Sequence, residues 1–266
     1  MAQEREERSG IGENLSRVRG RIRAACERAG RDPEEVTLVA VSKKKPFSDI
    51  REAYASGAAD FGENYVQELT EKAELNGGPG GAGPIRWHMI GHLQRNKVKY
   101  LIGQAALIHS VDSLALAGEI EKESAKRGAV TRILLEVNIA GEESKWGFRP
   151  EETPQAAREI SALPHVRVLG LMTSAPATED PETNRGYFRG LHELARKMAA
   201  EKLIAEDPEF RTPVLSMGMT GDFEVAVEEG ATLVRVGTAI FGERAYPEKT
   251  GGQASGETGG NWKQKE

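Results

Sequence analysis

The chain holds a single cysteine, Cys26, among its 266 residues. One thiol cannot close an intrachain disulfide, and it excludes a cysteine-rich structural zinc site. Histidines are scarce too. His88, His92, His109, His165 and His192 form neither an HxH nor an HExxH pair, so no metal centre is expected. No stretch approaches the ~20 apolar residues of a membrane span. The opening MAQEREERSG lacks the apolar core of a secretory signal. Positive charge is not in excess: the formal net charge is -5, and the Lys/Arg clusters are not interleaved with aromatics, which make up only 6% of the chain. A nucleic-acid platform is therefore not expected. Ser42 and Ser174 are isolated hydroxyls without a His–carboxylate partner, which removes a serine-hydrolase reading. The expectation is a cytoplasmic protein with no membrane and no nucleic-acid partner.

What is present is ordinary core-forming material, 38% hydrophobic and 29% charged residues. Its organisation lies in the pattern. GENLSRVRGRIRAACERAG places Leu15, Val18, Ile22 and Cys26 at helical spacing and stops at Gly30. Eight short apolar runs follow, at 36–42, 59–63, 85–91, 106–111, 131–139, 166–173, 213–218 and 232–237. Helical periodicity fills the gaps at 48–57, 64–76, 93–103, 112–128, 151–162, 183–206 and 221–229, and TAIFGER reads as a short closing helix. Strand and helix alternating eight times predicts a single (β/α)8 barrel with a leading helix; a doubly wound open sheet is the rival. The expected domain spans 11–246, between a flexible N-terminus (1–10) and a disordered tail (247–266) rich in Gly, Ser, Lys and Glu. The Gly/Pro-rich loop at 75–85 precedes strand 3 and belongs to the bottom face. The loop at 138–148 follows strand 5 and belongs to the top, where barrel sites are built.

Candidate chemistry sits at the strand ends. Val39, Val41 and Lys43 share one face by the period of two, which brings Lys43 to the barrel mouth. Desolvation there favours the neutral amine, the form that attacks a carbonyl. The plain alternative is a solvated basic turn, since Lys44 and Lys45 follow. In strand 8, Leu233, Arg235 and Gly237 alternate with Val234 and Val236, so Arg235 points inward, a costly place for a permanent charge without a polar ligand. Gly237 and Thr238 then open a helix, with Thr238 offering a hydroxyl and an N-cap. Strand 7 adds Ser216, Met217 and Gly218. Together these describe pyridoxal 5'-phosphate: aldehyde on Lys43, phosphate on Ser216, Gly237 and Thr238, and Arg235 facing the ring nitrogen. A permanently protonated Arg cannot leave a proton on that nitrogen, which makes the ring a poorer electron sink.

Six stretches, LVAVSKKKP (38–46), FGENYVQE (61–68), WHMIGHLQRNK (87–97), VNIAGEESKWGF (137–148), VLGLMTSAP (168–176) and LSMGMTGDFEVAVEEGATLVRVGTAIFGER (215–244), occur in the order of a known family. The chain resembles the pyridoxal phosphate homeostasis proteins, the YggS/PROSC type, over about residues 10–245. The resemblance implies a barrel of the alanine racemase N-terminal type, with Lys43 as Schiff-base lysine in an internal aldimine. It implies Ser216, Gly237 and Thr238 at the phosphate and Arg235 at the ring nitrogen. It further implies Asn64 near the cofactor and Lys145 as a secondary lysine at the mouth. Family members are described as monomers without established turnover that regulate cofactor supply, with PLP-dependent apo-enzymes as possible recipients. They lack the racemase's additional β domain. GMT at 218–220 departs from an expected GMS but keeps a hydroxyl, and Ser174 stands where a larger apolar residue is common.

Other residues carry two readings. His92 either touches the ligand or serves as a cap; Asn138 either binds a ring substituent or caps its loop. Tyr65, Trp87 and Trp146 are expected to pack, and Met172 and Met217 to fill the upper layers. Three functions stay open: a non-catalytic cofactor carrier, which is favoured, a PLP-dependent racemase-like enzyme, and a cofactor-free Schiff-base aldolase on Lys43.

Overall fold

The computed structural model describes residues 10–77, 85–142 and 145–243. The expected flexible N-terminus, most of the 75–85 loop and the tail fall outside the described residues. Eight parallel strands close on themselves in sequence order: β1 (Thr37–Val41), β2 (Asp60–Glu63), β3 (Arg86–Met89), β4 (Ala105–Val111), β5 (Thr131–Glu136), β6 (Val166–Met172), β7 (Val214–Ser216) and β8 (Leu233–Val236). All eight coincide with apolar runs of the sequence, and the open-sheet rival is excluded by the pairing of β1 with β8. Helices α1 (Ile11–Ala29), α2 (Phe47–Ala55), α3 (Val66–Leu75), α4 (Leu114–Arg127), α5 (Thr153–Ser161), α6 (Arg185–Ala200), α7 (Phe223–Glu228) and α8 (Thr238–Phe241) surround them.

The leading helix α1 covers a flank. Leu15, Val18, Ile22, Ala25 and Cys26 are buried on one stripe, each large aliphatic side chain contributing about 1.5–3 kcal/mol. The stripe packs towards α7 and α8, where Arg21 pairs with Glu224, Arg28 with Glu228, and Asn14 Nδ2 donates to the Ile240 carbonyl. Gly30, in the left-handed region, closes the helix with bonds to the carbonyls of Cys26 and Glu27.

Two helical expectations differ. The segment 93–103 forms a 3-10 turn at Arg95–Tyr100 rather than an α-helix. An α-helix would set Arg95 against Lys99 at i,i+4, a like-charge contact, within a stretch bounded by Gly91 and Gly103. The segment 183–206 divides into a 3-10 turn at Pro181–Asn184 and α6, which stops at Ala200. Lys202, at φ 59°, ends it, with Leu203 N–H bonded back to the Met198 carbonyl. A left-handed residue that is not glycine leaves no stop signal in the sequence.

Inside the barrel, Val39, Leu107, Leu134, Leu169, Met172, Val214 and Leu233 form an apolar cluster with Phe210, contributed by the loop before β7. Beside it the interior turns polar: Asp60, His88, His109, Ser216 and Arg235 are all buried. Branched aliphatic residues normally dominate a barrel interior. Here a charged and hydroxylated series crosses the interior from Asp60 at the start of β2 to Ser216 and Arg235 on β7 and β8.

Candidate cofactor site

Adjacent strands bring the predicted residues together. The register pairs Val39 with Arg235 and Ala40 with Val236 across β1 and β8, and Ser216 with Leu233 across β7 and β8. Gly237 therefore lies beside Val41, and a Cβ on it would stand 3.2 Å from the Val41 carbonyl oxygen. Lys43 follows two residues later, half-buried in the turn after β1.

That turn is held from both sides. The Lys45 N–H closes it on the Ser42 carbonyl at 3.0 Å, which makes Lys43 and Lys44 its central pair. Lys44 has φ 59°, a conformation that costs a non-glycine residue roughly 1–2 kcal/mol. The offset comes from α3 and β2. The Lys44 N–H donates to Glu68, the Ser42 hydroxyl donates to Glu63 Oε1 at 2.6 Å, and buried Lys72 donates to Glu63 Oε1, Glu68 Oε1 and the Ser42 carbonyl at 2.7–2.8 Å. Glu63 Oε2 is buried without a hydrogen-bond partner. Burial pushes the Glu63 carboxyl up to about 7, against the hydrogen bonds from Lys72 and Ser42. Lys45 is structural as well: its Nζ caps the end of α8, donating to the Phe241 carbonyl at 2.8 Å.

Arg235 points inward, as its parity requires, and is 4% exposed. Its NH1 donates to Ser216 Oγ at 2.6 Å and its NH2 to the Thr173 carbonyl at 2.9 Å, both neutral acceptors. Burial lowers the guanidinium to about 10, with Glu136 and Asp222 acting in the other direction, so it stays cationic at neutral pH. Two of its five N–H groups are thus used within the described residues. A buried cation with donors in reserve fits a heteroaromatic nitrogen, which presents a lone pair and no proton.

The rim above β7 and β8 fits a phosphate. Gly218 has φ 89°, and a Cβ there would lie 2.6 Å from Ala226 Cβ and 2.9 Å from Phe223 Cα. Only glycine allows the backbone to pass so close to α7. Asp222 shapes the following loop, accepting from the Met219 N–H at 2.7 Å and from Asn184 Nδ2 at 2.9 Å. Thr238 is the first residue of α8 and is exposed. The N-cap is Gly237, and no side-chain cap bond forms, which corrects the expected capping role of Thr238. A residue at position N1 lies inside the first turn and does not reach back to cap its own amides.

Remaining candidates separate clearly. Asn64 follows β2 and is half-buried; a Cβ on Gly91 would stand 2.3 Å from its carbonyl oxygen, so β2 and β3 pinch together there. Lys145 pairs with Glu142 of its own loop at 2.8 Å. Asn138 caps that loop, donating to the carbonyls of Glu142 and Lys145. His92 pairs with Asp112 at 3.2 Å and stacks on Trp146 at 4.1 Å. Trp87 packs on Phe61 as expected. Trp146 is 61% exposed and Tyr65 55% exposed, because both sit on the top rim rather than in the core. Met172 lines the barrel interior, whereas Met217 faces the outer helices.

The sequence reading did not name two groups of residues as part of the site. Asp60, His88 and His109 form a hydrogen-bonded series under Ser216, at 2.9 Å between His88 and Asp60, His88 and His109, and His109 and Ser216. Glu136, at the end of β5, is pushed up to about 7 by burial and by Asp112, while Arg235 acts against this.

Comparison with known proteins identifies the family and the fold. The family model described as alanine racemase, N-terminal domain, matches residues 14–245. A pyridoxal phosphate homeostasis protein of Aquifex aeolicus is 49% identical over 234 residues, 88% of this chain and 98% of its own length. Its namesake in Pseudomonas aeruginosa is 41% identical, over 90% of this chain and 97% of its own length. Among solved structures, PipY of Synechococcus elongatus with PLP bound superposes with a TM-score of 0.72 at 34% identity, over 87% of this chain and 100% of that one. Alanine racemase of Clostridium difficile, at 15% identity and a TM-score of 0.66, shares the fold alone. The chain belongs to the pyridoxal phosphate homeostasis protein family.

Proposed function

We propose that this protein binds pyridoxal 5'-phosphate at the top of the barrel and takes part in intracellular PLP homeostasis as a carrier without turnover of its own. The observation that carries the reading is the buried Arg235, bonded among the described residues to the neutral oxygens of Ser216 and Thr173, one strand away from the clamped Lys43 turn. The bound cofactor supplies an aldehyde carbon to which a primary amine adds with loss of water. Lys43 is the amine, presented at a fixed place by the Ser42–Glu63–Lys72–Glu68 set. Gly218, Gly237 and Thr238 hold the phosphate at the rim, and Asn64 borders the site from β2. Arg235 donates to the ring nitrogen and keeps it unprotonated, which weakens the stabilisation of a carbanion and favours holding over reacting. The carrier acts as a monomer in the cytoplasm, with apo-enzymes as recipients of the cofactor.

The test is a titration of the purified protein with PLP, followed by its visible spectrum, borohydride reduction and peptide mapping. The expected outcome is one modified lysine, Lys43, and loss of the absorbance band in Lys43→Ala with an unchanged far-UV spectrum. A Lys43→Ala protein that is still labelled to parental stoichiometry on another lysine refutes the assignment.

A further inference from the structure

The interior series from Arg235 to Asp60 has a direction that its chemistry imposes. Ionised Asp60 can only accept, so His88 Nε2, 2.9 Å from Oδ1, carries a hydrogen. A neutral ring with Nε2–H leaves Nδ1 as acceptor, so the hydrogen between the two rings belongs to His109 Nε2. His109 Nδ1 is then an acceptor, and the Ser216 hydroxyl must donate to it at 2.9 Å. Ser216 Oγ in turn accepts from Arg235 NH1. Each donor points from the guanidinium down to the carboxylate.

The charge balance supports neutral rings. Arg86, itself partly exposed, already pairs with Asp60 through Nε at 2.7 Å and Nη2 at 2.6 Å, so the carboxylate is matched without a second cation on the fully buried His88. Hydrogen bonds from His88 and Arg86 outweigh burial and hold the Asp60 carboxyl below its ordinary range. Burial, with the Arg235 charge acting in the same direction, holds His109 well below the usual imidazole range. The other charged groups that bear on Arg235 are Glu136 and Asp222.

We propose that His88 and His109 are positioning residues that commit the Ser216 proton to the barrel interior, so that Ser216 orients Arg235 toward the ring nitrogen and takes no part in binding the phosphate. With its proton spent below and one lone pair on Arg235, Ser216 turns only a lone pair toward the ligand. It repels a phosphate oxygen. Phosphate selection then rests on the rim at Gly218, Gly237 and Thr238. An apolar filling would stabilise a barrel at least as well as this chain of polar groups, which places its use at the ligand rather than in the fold. The role rests on the proposed binding of PLP.

The experiment has two arms on the full-length protein. Nitrogen NMR of histidine-labelled apo protein reads the tautomers directly, and the hydrogen-bond order predicts Nε2–H for both buried rings. A cationic or Nδ1–H ring overturns the chain. The second arm compares affinities for pyridoxal 5'-phosphate and pyridoxal. Ser216→Ala is expected to weaken both by the same factor, leaving their ratio within about twofold of the parent, whereas Thr238→Ala lowers the ratio by roughly tenfold or more. A collapse of the ratio in Ser216→Ala means that its hydroxyl donates to the phosphate and refutes the proposal. His109→Leu should shift the absorbance maximum of the bound chromophore, and His109→Asn, which restores an acceptor where Nδ1 stood, should bring it back. Identical spectra for parent and His109→Leu refute the relay. If His109→Leu does not fold, His109→Asn and Ser216→Ala decide. Binding of neither aldehyde by the parent protein overturns the PLP reading, a result the tautomer measurement keeps separate.

Discussion

Replacing Lys72 by Met tests the clamp behind the Lys43 turn through its pH dependence. In the parent, burial raises the Glu63 carboxyl from 4.5 to about 7, a difference worth roughly 3 kcal/mol. Because the folded value is raised, the stability this group contributes is fully present below pH 4.5 and is lost as the pH climbs through about 7. Above that point the parent holds an ionised Glu63 against the Lys72 ammonium at 2.8 Å, and its curve levels off. Without Lys72 the buried carboxyl has no cation, keeps its proton further up the scale, and the variant continues to lose stability. The gap between variant and parent should therefore widen by roughly 2 kcal/mol between pH 7 and pH 9, or roughly 4–8 °C in Tm for a domain of this size. The bonds of Lys72 to the Ser42 carbonyl and Glu68 add a constant offset but no slope. Urea denaturation of both proteins at the two pH values measures the gap, and Glu63→Gln, which cannot titrate, should abolish the pH-dependent part. A gap that stays constant or narrows over this window refutes the reasoning.

Thr238→Ala removes a hydroxyl from the rim; PLP affinity should fall roughly 10–150-fold by fluorescence titration, while pyridoxal binding is unchanged. Gly218→Ala places a Cβ 2.6 Å from that of Ala226 at a φ of 89°, so it should lower Tm in calorimetry and abolish PLP binding, whereas the exposed Gly186→Ala should do neither. Arg235→Glu should let the ring nitrogen keep a proton: exchange of the Cα hydrogen of added L-alanine, followed by NMR in deuterium oxide, is expected to be negligible in the parent and measurable in the variant. Rapid exchange by the parent with accumulation of D-alanine would make the protein a racemase.

Much of the architecture was legible because each strand is a short apolar run between helical patterns, and that contrast survives without any alignment. Parity alone placed Arg235 inside, since Val234 and Val236 can face only the outer helices. The same rule assigns Asp60, His88 and His109 to the interior, opposite Phe61, Trp87 and Met89. Their contact, however, depends on the relative heights of β2, β3 and β4, and the register shifts between Trp87 and His88. Face is a property of one strand; height is a property of the closed barrel. Lys72 escaped for a related reason. In the sequence it is a lysine in an amphipathic helix, and only the rotation of α3 against β2 turns it inward to Glu63. Thr238 was misjudged by one position, because the glycine before it takes the cap.

The short strand β2 explains how the site is held from both sides of the barrel wall. Asp60 and Glu63 are three residues apart, an odd spacing, so in a pleated strand they face opposite sides. Asp60 points in and anchors the series that ends on Arg235; Glu63 points out and anchors the lysine that grips the turn carrying Lys43. Each carboxylate has its own cation, Arg86 for one and Lys72 for the other. Neither network borrows charge from the other. Loss of one should therefore leave the other intact: Asp60→Asn should alter the spectrum of the bound chromophore through Arg235, and Glu63→Gln should alter the rate at which Lys43 captures the aldehyde. Stopped-flow absorbance of the two variants separates these effects. Equal changes in rate and spectrum from both would mean that β2 acts as one rigid unit and that the two networks are not independent.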